Sequence, residues 1–87
     1  MTLKEKEQLR NIILLILEAG RPGLTLREVS NKAQLRDFDN PDSDFADALD
    51  WLTARGFAEE IRVGIGKLTR AWRISDAGVE YLDGANL

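Results

Sequence analysis

The chain contains no cysteine and no histidine. Their absence excludes a disulfide framework, a thiol nucleophile, a Ser–His pair and a zinc finger. Proline occurs twice, at Pro22 and Pro41, and both read as helix boundaries. The longest unbroken apolar run is Ile12 to Leu17, six residues, where a membrane span needs about 20. No charged start, apolar run and small-residue cleavage site follow in order, so nothing points to export or to a membrane. With 87 residues, 44% apolar and 31% charged, the expectation is one soluble domain over residues 1–87, located in the cytoplasm. There is no internal repeat and no low-complexity stretch.

A net charge of −3 conceals an uneven layout. Residues 1–36 carry seven basic and four acidic groups, whereas residues 37–60 carry eight acids against Arg55 alone. Residues 61–74 then hold Arg62, Lys67, Arg70 and Arg73 with no acid, and the remainder holds Asp76, Glu80 and Asp83. Blocks of alternating sign on one small domain give it an electrical polarity that the total hides.

Residues 3–19 read as a helix, with Leu9, Ile12, Ile13, Ile16 and Leu17 on one face of a 3.6-residue period and Gly20 just past its end. Leu14 and Leu15 fall off that stripe. Either the helix is enclosed nearly all round or its second face meets a partner; the chain's small size favours the partner, as a homodimer through this first helix. Thr25-Leu26-Arg27-Glu28 has capping-box spacing and opens a short helix with Leu26, Val29 and Ala33 inward. Residues 34–42 form a turn-rich connection that Leu35 and Phe38 are expected to pin to the body. Pro41, Asp42 and Ser43 start a third helix with Phe45, Ala48, Leu49 and Leu52 as its apolar stripe, Trp51 off it, and Gly56 as its stop.

Beyond Gly56 the period becomes two. Phe57, Glu59, Ile61, Val63 and Ile65 share one parity, and Leu68, Arg70, Trp72 and Ile74 share another on a second strand, with Gly64-Ile65-Gly66-Lys67 as the hairpin tip. Since Glu59 interrupts the apolar parity, the inward face should start at Ile61. Ile61, Val63, Trp72 and Ile74 would then point inward, Arg62 and Arg73 outward together, and Arg70 inward but near enough the tip to emerge. Ser75 can cap a last short helix bearing Val79, Tyr81 and Leu82, with the tail from Asp83 fraying.

This order of elements resembles a winged helix-turn-helix: an α+β fold with a three-helix core, a two-stranded β-hairpin wing and a short C-terminal helix. The stretch Phe45-Ala46-Asp47-Ala48-Leu49-Asp50-Trp51-Leu52-Thr53-Ala54-Arg55-Gly56-Phe57 looks like the family's third helix with its Gly-apolar exit. The stretch Trp72-Arg73-Ile74-Ser75-Asp76-Ala77-Gly78-Val79-Glu80-Tyr81-Leu82 is similar to the close of the second wing strand in MarR-like and PadR-like transcriptional regulators. The likeness covers about residues 9–82 and identifies no subfamily. It implies transcription regulation by binding double-stranded DNA, as a symmetric dimer, with the third helix in the major groove and the wing on phosphates or in the minor groove.

The chain departs from that pattern on the third helix. Relatives commonly present Ser, Thr, Lys or Arg there, whereas this chain presents Asp42, Ser43, Asp44, Asp47 and Asp50. A carboxylate can accept from cytosine N4 but is repelled by two rows of phosphates. The DNA-binding candidates are therefore Arg62, Lys67, Arg70 and Arg73 on the wing, with Ser43 and Asn40 the least hostile to a base contact. The wing cations have a second reading, as protection of an edge hairpin against strand addition. They also have a third, as a partner for the acidic helix of another copy. A rival function is a winged-helix protein-interaction module that does not bind DNA, using Leu14, Leu15, Asp47, Asp50 and Trp51 if that ring is exposed.

No motif for other chemistry survives inspection. Asp37 to Asp44 has the acid density of a calcium loop, but Pro41 occupies a ligand position, Asp42 stands where Gly is needed and Ala48 where the bidentate Glu belongs. Gly64-Ile65-Gly66-Lys67 lacks the remaining residues of a phosphate loop and joins two strands. Nothing places two carboxylates in an apolar pocket. The reading is of a non-enzymatic protein with no metal and no cofactor.

Overall fold

A computed structural model of the chain describes residues 2–20, 23–63 and 69–84. Among the described residues four helices and three strands follow one another as α1 (Leu3–Ala19), β1 (Leu24–Thr25), α2 (Leu26–Gln34), α3 (Asp42–Ala54), β2 (Ala58–Val63), β3 (Thr69–Ile74) and α4 (Asp76–Gly84). The strands form one antiparallel sheet in the order β1-β3-β2. No described helix is long and apolar enough to cross a membrane. Lys67, Ile65 and Leu68 lie outside the described residues, as do residues 85–87.

The helices begin and end where local chemistry dictates. Thr2 caps α1 by accepting from the Glu5 amide at 3.2 Å. The Thr25–Glu28 capping box is complete: the Glu28 amide donates to the Thr25 hydroxyl and the Thr25 amide donates to the Glu28 carboxylate. Both α2 and α3 end in the same six-residue loop closure. The Phe38 amide donates to Ala33 and the Asp37 amide to Gln34; the Phe57 amide donates to Leu52 and the Gly56 amide to Thr53. Each closure needs one residue in the left-handed region, supplied by Gly56 at φ 78° and by Asp37 at φ 65°. The residue after each turn back is aromatic and packs onto the core, which seals the helix end.

The core is built from the expected stripes. Leu9, Ile13, Ile16 and Leu17 of α1, Val29 and Ala33 of α2, and Phe45, Ala48, Leu49 and Leu52 of α3 are all buried. Two expectations for the apolar residues need correction. Leu14 is fully buried, because α1 is surrounded by α2, α3, α4 and β3; Leu15 is half-buried against the same cluster. The second face of the C-terminal half of α1 is thus largely consumed inside the chain. Leu35 pins nothing: it follows α2 at 86% exposure, and Phe38 alone anchors the connection.

The sheet corrects a third expectation. β2 and β3 pair as Ala58 with Ile74, Glu59 with Arg73, Glu60 with Trp72, Ile61 with Ala71, and Arg62 with Arg70. Directly opposed residues share a face, so Ala58, not Ile61, joins Trp72 and Ile74 on the core side. The loop closure after α3 draws Phe57 out of the strand, and a shift of one residue sends every side chain of β2 to the other face. Arg62 and Arg73 consequently point to opposite faces. Ile61 packs on the far side, where a Cβ added at Gly23 would lie 2.7 Å from its Cδ1.

The ends of the two strands are fastened together by one side chain. The Ser75 hydroxyl donates to the Gly56 carbonyl at 2.5 Å and accepts from the Gly78 amide at 3.1 Å. The Ser75 amide donates to the Phe57 carbonyl. Gly78 is needed because a Cβ there would stand 2.1 Å from that same carbonyl oxygen. Phe57 then stacks on Tyr81 of α4 with centroids 4.7 Å apart.

Candidate nucleic-acid interface

Two surfaces carry the charge blocks. The first is the outer row of α3. Asp42, Ser43, Asp47 and Asp50 are exposed and Asp44 is half-buried, because the apolar stripe Phe45, Ala48, Leu49 and Leu52 claims the opposite side of the helix. Asn40, just before it, is half-buried and donates its amide to Asp44 Oδ2 at 3.3 Å. Trp51 is half-buried. Its ring is already occupied by the Arg10 guanidinium, 3.9 Å from the centroid, with Arg55 at 4.8 Å. Asp47 shares a cleft with Lys6, Leu9, Arg10, Asp44, Ala48 and Trp51 between α1 and α3.

The second surface is the wing stem. Arg62 is exposed and stands opposite Arg70. Two like charges directly across a strand pair repel unless other charges intervene. On β3 they do: Arg70 Nε donates to Glu60, Arg70 Nη2 lies 3.5 Å from Asp50 Oδ1, and the guanidinium sits 5.0 Å above the Trp72 ring. The Arg70 pKa is held above its ordinary value, first by the hydrogen bond to Glu60, then by the charges of Glu60 and Asp50. On the far face Arg73 is paired with Glu59 at 2.7 Å. All these groups are largely solvated, so each pair contributes little to stability. Their consequence is local: the strands bring Glu59 and Glu60 beside Arg73 and Arg70, and much of the wing's positive charge is answered within the wing.

Of the sequence candidates, the structure brings Arg62, Arg70 and Asp50 together at one end of the sheet and puts Arg73 on the other face. Ser43 and Asn40 sit apart from them at the start of α3. Sequence reasoning missed the acidic partners of the wing, since Glu59 and Glu60 stand ten or more residues from the arginines they meet. It also missed β1, whose Leu24 pairs with Trp72 and Thr25 with Ala71. Trp72 is buried between β1 and β2, and its Nε1–H has no partner among the described residues.

A three-helix core whose second and third helices are joined by a turn, followed by a two-stranded wing, defines a winged helix-turn-helix protein. No protein-family model matches the sequence, and no curated protein matches it either. Solved structures share the fold. A PadR family transcription regulator from hypervirulent Clostridium difficile superposes with a TM-score of 0.79, at 14% identity, over 90% of this chain and 82% of that one. A transcriptional regulator from Clostridium thermocellum gives a TM-score of 0.82 at 17% identity over 98% and 84% of the respective chains. Bacillus subtilis PadR, solved in complex with operator DNA, gives 0.75 at 23% identity. That likeness covers 91% of this chain but 46% of the Bacillus protein. The fold is thus that of PadR-like regulators, from α1 through α4.

Proposed function

We propose that this chain is a winged-helix transcriptional regulator that binds double-stranded DNA, with the wing on the phosphate backbone. The carrying observation is the Arg62–Arg70 pair. The register sets two guanidinium-bearing residues opposite each other on one face of the wing stem; Arg62 is in no ion pair among the described residues, and a phosphate beside it would compete with Glu60 and Asp50 for Arg70. Lys67, between the two strands in sequence, adds a third cation to the same hairpin. Arg73 serves the far face. Ser43 and Asn40 flank the start of α3, where a base contact meets the least opposition from carboxylate. The fold likeness to a PadR solved with operator DNA supports this reading. A homodimer along α1, using Leu15 and the 68% exposed Leu3, would present two wings in symmetric array.

Anisotropy titration of the full chain against a labelled duplex at low salt tests the reading. Binding tighter than about 10⁻⁴ M, with affinity falling as salt rises, is expected, and no binding at that level sinks it. Sizing of the same sample reads the dimer.

One observation favours a second reading, a protein-interaction module. The outer row of α3 offers Asp42, Asp47 and Asp50 to solvent, and only Asp50 is paired with a described cation. Such a row fits a basic protein surface. Trp51, covered by Arg10, is less available as its anchor than its sequence position implies. A chain that ignores every duplex yet is retained on a basic partner at low salt would favour this reading.

A further inference from the structure

The acidic row on α3 faces a duplex poorly, but α2 presents the opposite chemistry. Arg27, Asn31 and Gln34 are spaced by four and three residues, one stripe of a helix, and all three are exposed. With Ser30 and Asp42 they line a polar recess of about 190 Å³ between α2 and the start of α3. Arg27 also lines a second recess, of about 340 Å³, with Thr25, Leu26, Arg70 and Trp72. Arg27 therefore belongs to both. A run of hydrogen-bond donors passes from Arg70 on the wing, through Arg27, to Asn31 and Gln34.

We infer that α2, rather than α3, is the base-reading helix of this chain, with Asn31 and Gln34 on base edges and Arg27 and Arg70 on the flanking phosphates. The inference rests on the DNA-binding reading above. Three considerations carry it. Charge comes first: α2 carries the cations Arg27 and Lys32 against the single acid Glu28, whose carboxylate is engaged in the capping box. The exposed ionised side chains of the α3 row are all acids. Residue type comes second, since Asn and Gln are the side chains that pair with adenine N6 and N7 in the major groove, and Arg is the commonest partner of guanine and of phosphate. Geometry comes third. Asn31 and Gln34 stand three residues apart, about 4.5 Å along the helix axis, a little over one base-pair step of 3.4 Å, so the two can meet neighbouring base pairs. Asp42 at the far edge of the recess repels phosphate on the α3 side and so fixes which way the duplex can lie.

The test is selection from a random-sequence duplex library at low salt, using the full chain, followed by titration of the enriched duplex and a scrambled one. Wild type should enrich a short motif. The Asn31→Ala/Gln34→Ala double variant should lose roughly tenfold or more of the preference for the enriched duplex, with affinity for the scrambled duplex unchanged. Arg27→Ala should weaken both duplexes alike and lower the salt slope by about one. Both α2 positions are exposed and alanine favours helix, so an unchanged melting curve verifies the fold of the double variant. A double variant that retains the wild-type motif and preference overturns the inference while leaving DNA binding intact. Wild type that binds with no preference does the same. A wild type that binds no duplex removes both readings together.

Discussion

The β2–β3 pair is built on different terms at its two ends. At its base, Ala58 faces Ile74 inside the core, Ser75 ties the turn after α3 to the start of α4, and Gly78 lets the Phe57 carbonyl approach closely. Toward its far end, Arg62 faces Arg70 in solvent, and the neighbouring charges answer one another across the strands. The base is held by close packing and by backbone groups that have no alternative partner. The stem is held by charges that water can replace. Substitutions at the base should therefore be read in stability, and substitutions on the stem in binding and its salt dependence.

The largest effect is expected from Gly78→Ala. A methyl placed 2.1 Å from a backbone oxygen must displace α4 or the α3–β2 turn, at a cost of about 3 kcal/mol in urea denaturation. An unchanged midpoint would show that the base is not closely packed. Ser75→Ala removes a helix cap and the bond to Gly56 together and should cost about 1–2 kcal/mol by the same measurement. On the stem, Arg62→Ala should leave stability within about 0.5 kcal/mol yet reduce the salt slope of duplex binding by about one. Glu60→Gln, which releases Arg70 from its strand partner, should raise duplex affinity severalfold at low salt with stability changed by less than about 1 kcal/mol. A Glu60 variant that binds more weakly would mean that Arg70 acts in the complex only when held in place. The smallest effect is at Asp37, the one described non-glycine residue at positive φ. Asp37→Gly relieves backbone strain at some entropic cost and should raise stability by about 0.5 kcal/mol, read as a small gain in melting temperature.

The helices were legible from local pattern. The bounds of α1, the Thr25–Glu28 box, the α3 stripe and the Gly56 stop all depend on residues close together in sequence, and each stands where it was expected. The sheet was less legible for a physical reason. β1 is two residues long and carries no period. β3, with a neighbour on each side, buries Ala71 as well as Trp72, so strict alternation fails there. The register of β2 turns on whether Phe57 is spent in the helix closure or in the strand, which the alternation of Glu59, Ile61 and Val63 does not reveal. The functional surfaces were legible as charge blocks but not as pairs, because Arg70 meets Asp50 and Arg73 meets Glu59 only once the register is known. The buried Leu14 follows the same logic: whether an apolar residue off the main stripe is free depends on elements far along the chain, such as α4, which starts 62 residues downstream.

Ser75 has a mechanical consequence. The wing is a pair of six-residue strands, about 20 Å long, and its root is pinned where one hydroxyl and one amide bridge the exit of α3 and the entry of α4. A pin at the root of a long arm makes a fulcrum. A tilt of about 5° at Ser75 would carry the tip of such an arm through nearly 2 Å, more than half a base-pair step. The direction of the two strands is therefore sensitive to the Ser75 pin, and a change beneath it would redirect their far ends, where Arg62 and Arg70 stand, without altering either residue.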